Sequence, residues 1–264
     1  MKQLFQFLIL IVFLFTVACG SSDEDKARIK IGQAKNLLQQ QDTLNALLTL
    51  DSIPKLFPKA IYTGNAAKKF AGKLRFEILQ KKENELDSLN VFIAEKEKSF
   101  VKEKTEFDRY AQYIPKRQTF KRGWNRSFIQ VHLNEHGDLY LSSNFYGEHW
   151  LNHTGIKVYD KGDNASTEQV PLGNVDNHHS DFMKSKWEKV SFRNGKSDDV
   201  IRFIANNVDR RLKAVFQGKK YYYIVLEKYD KEAIREALLL SKALKRKAKQ
   251  EKEIATLQKK LNIQ

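Results

Sequence analysis

Ser127-Phe128-Ile129-Gln130-Val131-His132-Leu133 alternates apolar and polar side chains from Ile129 onward; Asn134-Glu135-His136-Gly137-Asp138 turns the chain; Leu139-Tyr140-Leu141-Ser142-Ser143-Asn144-Phe145 is a second extended run. Two period-two segments around an Asn- and Gly-containing turn predict a β-hairpin. Downstream, Ile156-Lys157-Val158-Tyr159 ends in the turn Asp160-Lys161-Gly162-Asp163-Asn164. Further strands are expected at 167–170, 187–192, 212–216 and 221–226, with Gly218-Lys219 turning the last two together. Segment 197–207 breaks the pattern. Val200, Ile201, Phe203 and Ile204 have helical spacing, and Ser197 or Asp198 can cap their start. Residues 115–227 thus read as a small, mostly antiparallel β domain with one short helix, a sandwich or an open barrel.

On both sides of this domain the period changes to that of a helix. Upstream, Leu79, Leu86, Ile93, Phe100, Phe107 and Ile114 recur every seven residues, and only Gly72 interrupts the run. A sustained seven-residue repeat predicts one long helix over 61–114, supercoiled with a partner helix. Downstream, Ala233, Ala237, Leu240, Leu244, Ile254, Leu257 and Leu261 predict a second long helix over 228–264, with Asp230 as its N-cap. The economical arrangement is antiparallel, one helix entering the β domain and the other leaving it; pairing in a homodimer is the alternative. Before these helices, residues 26–60 read as a helical hairpin with stripes at Ile31, Ala34, Leu37, Leu38 and at Leu44, Leu47, Leu48, Leu50. Asp42 or Thr43 caps the second arm, and Pro54 and Pro58 end it. The fold class is therefore α+β: long antiparallel coiled-coil-like helices flanking a small β domain.

The chain has 264 residues and a net charge of +15, with 41% apolar and 30% charged residues. Such a balance invites a nucleic-acid reading. The basic residues, however, are interleaved with Asp and Glu along the helices. The stripe Lys242, Lys245, Arg246, Lys247, Lys249, Lys252 reads as the wet side of a coil, and no nucleic-acid partner is expected.

Residues 4–18 are almost wholly apolar after Met1-Lys2, a length that fits a signal-peptide core and falls short of the roughly 20 residues of a membrane span. The run ends in Thr16-Val17-Ala18-Cys19-Gly20, and Cys19 is the only cysteine. These residues resemble the lipobox of bacterial lipoproteins, although that family prefers Leu where Thr16 stands. The resemblance implies cleavage after Ala18, a signal peptide over 1–18 and lipid on Cys19. Several acyl chains on one cysteine anchor durably, since each buried CH₂ contributes about 0.8 kcal/mol. Residues 19–25 then read as the lipidated cysteine and a solvated acidic tether. That acidic stretch is similar to the export signal of Bacteroidota surface lipoproteins. Ala46-Leu47, Leu50-Asp51-Ser52-Ile53, Glu85-Leu86-Asp87-Ser88-Leu89, His153-Thr154-Gly155-Ile156-Lys157-Val158 and Leu240-Ser241-Lys242-Ala243-Leu244 resemble uncharacterised envelope lipoproteins of that group. The implied place is the outer membrane, facing outward or toward the periplasm.

All six histidines, His132, His136, His149, His153, His178 and His179, fall in the β domain. His149, His153, His178 and His179 are the candidates for a metal, but four-residue spacing shares a face on a helix and not on a strand or loop, so no metal and no cofactor is assigned. Ser142, Ser143, His153 and Asp181 form a nucleophilic triad on paper only, without a Gly-x-Ser-x-Gly elbow. No residue is assigned as catalytic. Trp124, Tyr146, Trp150 and Trp187, with Tyr159, stand near turns and strand ends, where rings stack on sugars or anchor a protein. The leading expectation is a non-enzymatic envelope scaffold or interaction module with an envelope-protein or polysaccharide partner. A glycan- or peptide-binding lipoprotein is the alternative, and a His-dependent hydrolase a third.

Overall fold

The computed structural model describes residues 22–118, 126–182 and 184–263. The signal-peptide and Cys19 readings, and Trp124, lie outside these residues. Within them the chain is α+β and divides into two compact units, 1–83 with 254–264, and 84–253.

The first unit is helical. Helices α1 (Asp23–Gln39), α2 (Thr43–Leu56) and the first part of α3 (Ile61–Glu97) close on Ala27, Ala34, Leu50, Ile53, Ala60, Ala67 and Ala71. Five of those seven side chains are alanine, so the backbones approach closely. Asp42 caps α2 by accepting from Asn45 N at 3.2 Å. Pro54 does not end that helix but lies inside it, and α2 runs on to Leu56. Of the stretch 19–25 expected to be a solvated tether, residues 22–25 are described and are folded. Ser22 and Asp25 form a reciprocal capping box at the start of α1. Glu24 accepts from the N–H groups of Tyr62 at 3.2 Å and Thr63 at 3.3 Å, and from the Thr63 hydroxyl. It thereby neutralises unpaired donors in the first turn of α3.

In the second unit the long helix stops at Glu97, well short of the expected 114. Phe100 and Ile114 of the repeat lie in two short strands, β1 (Phe100–Glu103) and β2 (Gln112–Pro115), which pair antiparallel. Between them the Asp108 carboxylate accepts from Thr105 N at 3.1 Å and Thr105 Oγ at 2.6 Å. Such short polar side chains offer the backbone an alternative to the helix, and the resulting turn leaves Phe107 90% exposed. The β region thus begins at Phe100 and not at 115.

Two four-stranded antiparallel sheets follow. In the first, β3 (Phe128–Leu133), β4 (Leu139–Gly147), β8 (Ser185–Phe192) and β7 (Asn177–Phe182) lie in that order. In the second the order is β10 (Tyr221–Val225), β9 (Lys213–Gln217), β5 (Gly155–Asp160) and β6 (Asp163–Ser166). The expected strand at 167–170 is irregular, its place in the ladder taken by β6. Strand β7, which carries His178 and His179, has no counterpart in the sequence reading. One core takes side chains from both sheets: Ile129, Val131, Leu141, Val190 and Phe192 from the first, Ile156, Val158, Ala214 and Phe216 from the second. Helix α4 (Asp198–Asn206) adds Val200, Ile201 and Ile204.

Ser197 stands at the N-cap of α4 but makes no side-chain cap bond. Its hydroxyl donates to Phe192 O at 3.0 Å and accepts from Leu141 N at 3.1 Å. Helix α5 (Lys228–Leu261) starts two residues before Asp230, which is buried and accepts from Gln118 Nε2 at 3.3 Å rather than acting as N-cap. In this unit α5 opposes α3 in chain direction: Lys96 meets Glu236 at 2.7 Å, and Gln250 meets Glu85 at 3.1 Å. The tip of the β3–β4 hairpin also rests on α5, where Ser241 Oγ donates to Gly137 O at 2.6 Å.

The break at Glu97 separates residues that the repeat treats as equal. Ile93, buried on α3, loses about 2–5 kcal/mol of stability as alanine. Phe107→Ala changes stability by less than about 0.5 kcal/mol. Urea denaturation of the two variants checks this, and equal losses would place Phe107 in a helical seam.

Candidate functional site

Along β4 and β8 the inward row reads Leu141, Ser143, Phe145 opposite Phe192, Val190, Glu188. Two polar residues therefore point into an apolar core. They meet His153, which lies just before β5, and all three are fully buried. His153 Nδ1 is 2.6 Å from Glu188 Oε2, and His153 Nε2 is 2.8 Å from Ser143 Oγ. An ionised Glu188 only accepts, so Nδ1 carries the proton; in the neutral ring Nε2 accepts from the Ser143 hydroxyl. The carboxylate also accepts from Leu151 N at 2.6 Å, Asn152 N at 2.7 Å and His153 N at 3.0 Å. Asn152, at φ 53°, makes the left-handed turn that aims these three N–H groups at one side chain.

The connectivity is that of a Ser–His–carboxylate relay, with Glu188 where the sequence suggested Asp181. Asp181 pairs instead with Lys186, and Ser142 with His132 at 2.9 Å. What the relay lacks is access. Phe216 stacks on the imidazole with centroids 5.2 Å apart, and Phe145 closes another side at 6.5 Å. A nucleophile needs an approach path to its carbonyl, and a fully buried Ser143 has none. In this structure the three residues join the sheets: Ser143 and Glu188 belong to the first, while His153 leads into β5 of the second and stacks on Phe216 of β9. The β9–β10 turn is tied to the same loop, since Lys219 N donates to Leu151 O at 2.9 Å. A Cβ on Gly218 would fall 2.2 Å from Leu151 O, so the approach requires glycine.

The four proposed metal histidines do not converge. Both nitrogens of His153 are engaged, His179 Nε2 bonds to Asn177 Oδ1 at 3.0 Å, and His149 and His178 are exposed. Among the described residues no three His, Cys, Asp or Glu side chains form a group able to hold a metal ion. Of the candidate ligand-binding rings, Tyr146 and Trp187 meet edge to face at 5.2 Å on the outer side of the first sheet. Trp150 is elsewhere, stacked on His179 at 5.0 Å with Lys186 Nζ over its ring. Each ring has a neighbour, and the three do not form one platform.

A flatter and more open face lies on the second sheet. Register places Tyr221, Tyr223 and Val225 of β10 beside Gln217, Val215 and Lys213 of β9, and Lys157 and Tyr159 of β5 beyond them. Tyr221 is 64% and Tyr223 58% exposed, and neither they nor Tyr159 make a ring contact among the described residues. Two shallow clefts share Tyr159. One of about 310 Å³ includes Lys157, Asp163, Asn164 and Tyr223; the other, about 370 Å³, includes Asp160, Arg211 and Lys213. Sequence reading noted Tyr159 and missed the rest, although Tyr221-Tyr222-Tyr223 beside a turn carried the signal.

Two titrations follow from burial. Desolvation alone would raise the Glu188 pKa, but hydrogen bonds from the His153 ring and from the backbone of His153 and Asn152 hold it below its ordinary 4.5. For His132, desolvation first, then the charges of Lys189 and Arg193, pushes the pKa down to about 3. The unfolded chain binds a proton at His132 near 6.5 and the folded chain does not, so stability falls as pH drops from there toward 3. Glu188 contributes above its unfolded value and loses that contribution as pH falls through its lower folded one. The unfolding free energy from urea denaturation therefore declines from about pH 6.5, by at most about 1.4 kcal/mol per pH unit from His132. His132→Gln removes this slope between about 6.5 and 3 and leaves the Glu188 contribution below about 4.5 in place. At pH 7, Glu188→Gln costs about 3–5 kcal/mol, because it leaves donors facing an amide, and Ser143→Ala about 1–3 kcal/mol.

No protein-family model matches the chain, and no curated protein or solved structure matches it either.

Proposed function

We propose that the chain is a non-enzymatic, lipid-anchored protein of the cell envelope, whose β domain offers the tyrosine face of its second sheet to an elongated partner. The observation that carries this reading is a contrast in exposure: Ser143, His153 and Glu188 are sealed, while Tyr221 and Tyr223 stand open beside a half-buried Tyr159. Rings with free faces contribute contact area at little entropic cost, and flanking lysines favour acidic ligands. The anchor rests on Cys19 and the apolar run before it. No helix among the described residues is long and apolar enough to cross a membrane. The seven-residue repeat up to Ile93 and the Lys96–Glu236 and Glu85–Gln250 contacts support a coiled-coil-like pairing of α3 and α5 beside the β domain.

Two experiments test the halves of this reading separately. Metabolic labelling with a radioactive fatty acid in the native host marks the parent chain, and Cys19→Ala abolishes the mark; an unlabelled parent removes the anchor. For the module, Tyr221→Ala with Tyr223→Ala lowers affinity at least tenfold for whichever of a panel of linear oligosaccharides and extended peptides the parent binds. A fluorophosphonate probe leaves Ser143 unmodified in the folded chain, and covalent labelling there would replace the binding reading with the hydrolase.

A further inference from the structure

Strand β10 is an edge strand, and among the described residues its free side is unguarded. The ladder with β9 runs from Tyr221↔Gln217 to Val225↔Lys213 without a bulge, and Leu226 N continues it by donating to Leu212 O at 3.0 Å. In an antiparallel pair the residues that exchange hydrogen bonds alternate. With Leu226 facing β9, so do Ile224 and Tyr222, and the N–H and C=O groups of Tyr221, Tyr223 and Val225 point outward. None of these three finds a backbone partner among the described residues. Edge strands are usually blunted by charge, proline or a bulge. Tyr221-Tyr222-Tyr223-Ile224-Val225 has none of these, whereas the opposite edge, Asp163–Ser166, is polar and its Asp163 is tied to Arg210 at 2.9 Å.

We infer that this edge accepts an extended, acidic polypeptide segment of a partner as a fifth strand beside β10. Main-chain groups of Tyr221, Tyr223 and Val225 supply the pairing. The sign of the partner follows from charge. Lys157, Lys213, Lys219 and Lys220 surround the strand with no carboxylate partner among the described residues. Of the neighbouring acids, Asp160 and Asp163 share Arg210, which leaves one net negative charge against the four lysines, and Glu227 pairs with Arg126 at 3.3 Å. A second copy of this chain would bring the same lysines and a net charge of +15 to the same edge. The inference rests on the tyrosine face being a binding surface and adds that its occupant is a polypeptide held by backbone hydrogen bonds.

The test uses the full chain and two probes, a synthetic peptide alternating valine with glutamate and a linear uronic-acid oligosaccharide. On binding the peptide, amide exchange at Tyr221, Tyr223 and Val225 slows at least tenfold, while Tyr222 and Ile224, already paired to β9, change little. This readout needs no variant. Val225→Pro removes an outward N–H and keeps both rings; proline is tolerated on edges. It weakens peptide binding at least tenfold, whereas Val225→Thr stays within twofold of the parent. A peptide with lysine in place of glutamate binds at least tenfold more weakly. Failure of the acidic peptide to bind, or binding unchanged by Val225→Pro, overturns the edge assignment. Oligosaccharide binding lost only in Tyr221→Ala with Tyr223→Ala overturns it too, and leaves the tyrosine face standing as a sugar platform. A concentration-dependent dimer abolished by Val225→Pro overturns the partner in favour of a second copy.

Discussion

A carboxylate in an apolar core is tolerable only when its oxygens are filled, and the β domain is organised around filling those of Glu188. Three consecutive N–H groups and an imidazole converge on it. Leaving any of these donors without an acceptor is costly at this depth. The loop 150–153 must therefore hold one conformation, which fixes where β5 begins and so where the second sheet lies against the first. His153 carries the connection across: its ring bonds to the first sheet and stacks on Phe216 of the second. The same arrangement that resembles a catalytic relay is, in its burial, a clamp.

Much of this was legible in the residues, and the failures have physical causes. The β3–β4 hairpin, α4 and the β9–β10 turn announce themselves by period and by turn chemistry, because local and tertiary preferences agree there. At Glu97 they disagree. Phe100 and Ile114 satisfy a heptad and also a strand; in the strand pair Phe100 lies buried opposite Pro115, and Ile114 opposite Val101. Glu188 passes without notice within the expected strand 187–192, between Trp187 and Lys189. Its parity was the missed clue, since it shares a side with Val190 and Phe192. Glu24 likewise read as tether by composition, but its partner, the first turn of α3, lies 38 residues away in the chain, beyond any local pattern.

The two units reach stability by different means. The helical one packs alanine against alanine, gaining from close backbone approach and from caps at Ser22, Asp42 and Glu24 rather than from large side chains. The β-containing one relies on bulky aliphatic and aromatic residues and on buried polar links that specify register. Surfaces follow the same division. The first sheet spends its rings on one another, Tyr146 on Trp187 and His132 on Tyr140, while on the second Tyr221 and Tyr223 have no ring partner among the described residues.

The clamp also dictates an order of assembly. Helices α1 to α3 and the β3–β4 hairpin need only neighbours in the chain, so they can form as soon as they are made. Glu188 has nothing to bind until the loop before β5 meets β8, and His153 has no stacking partner until β9 arrives. Val158 likewise waits for Ala214 across the second sheet. Until residue 218 docks against Leu151, the polar interior of this domain has no stable home, and a chain interrupted before that point would expose it to water. The last hairpin to be synthesised is thus the one that locks the domain, and its outer strand is also an edge of the second sheet.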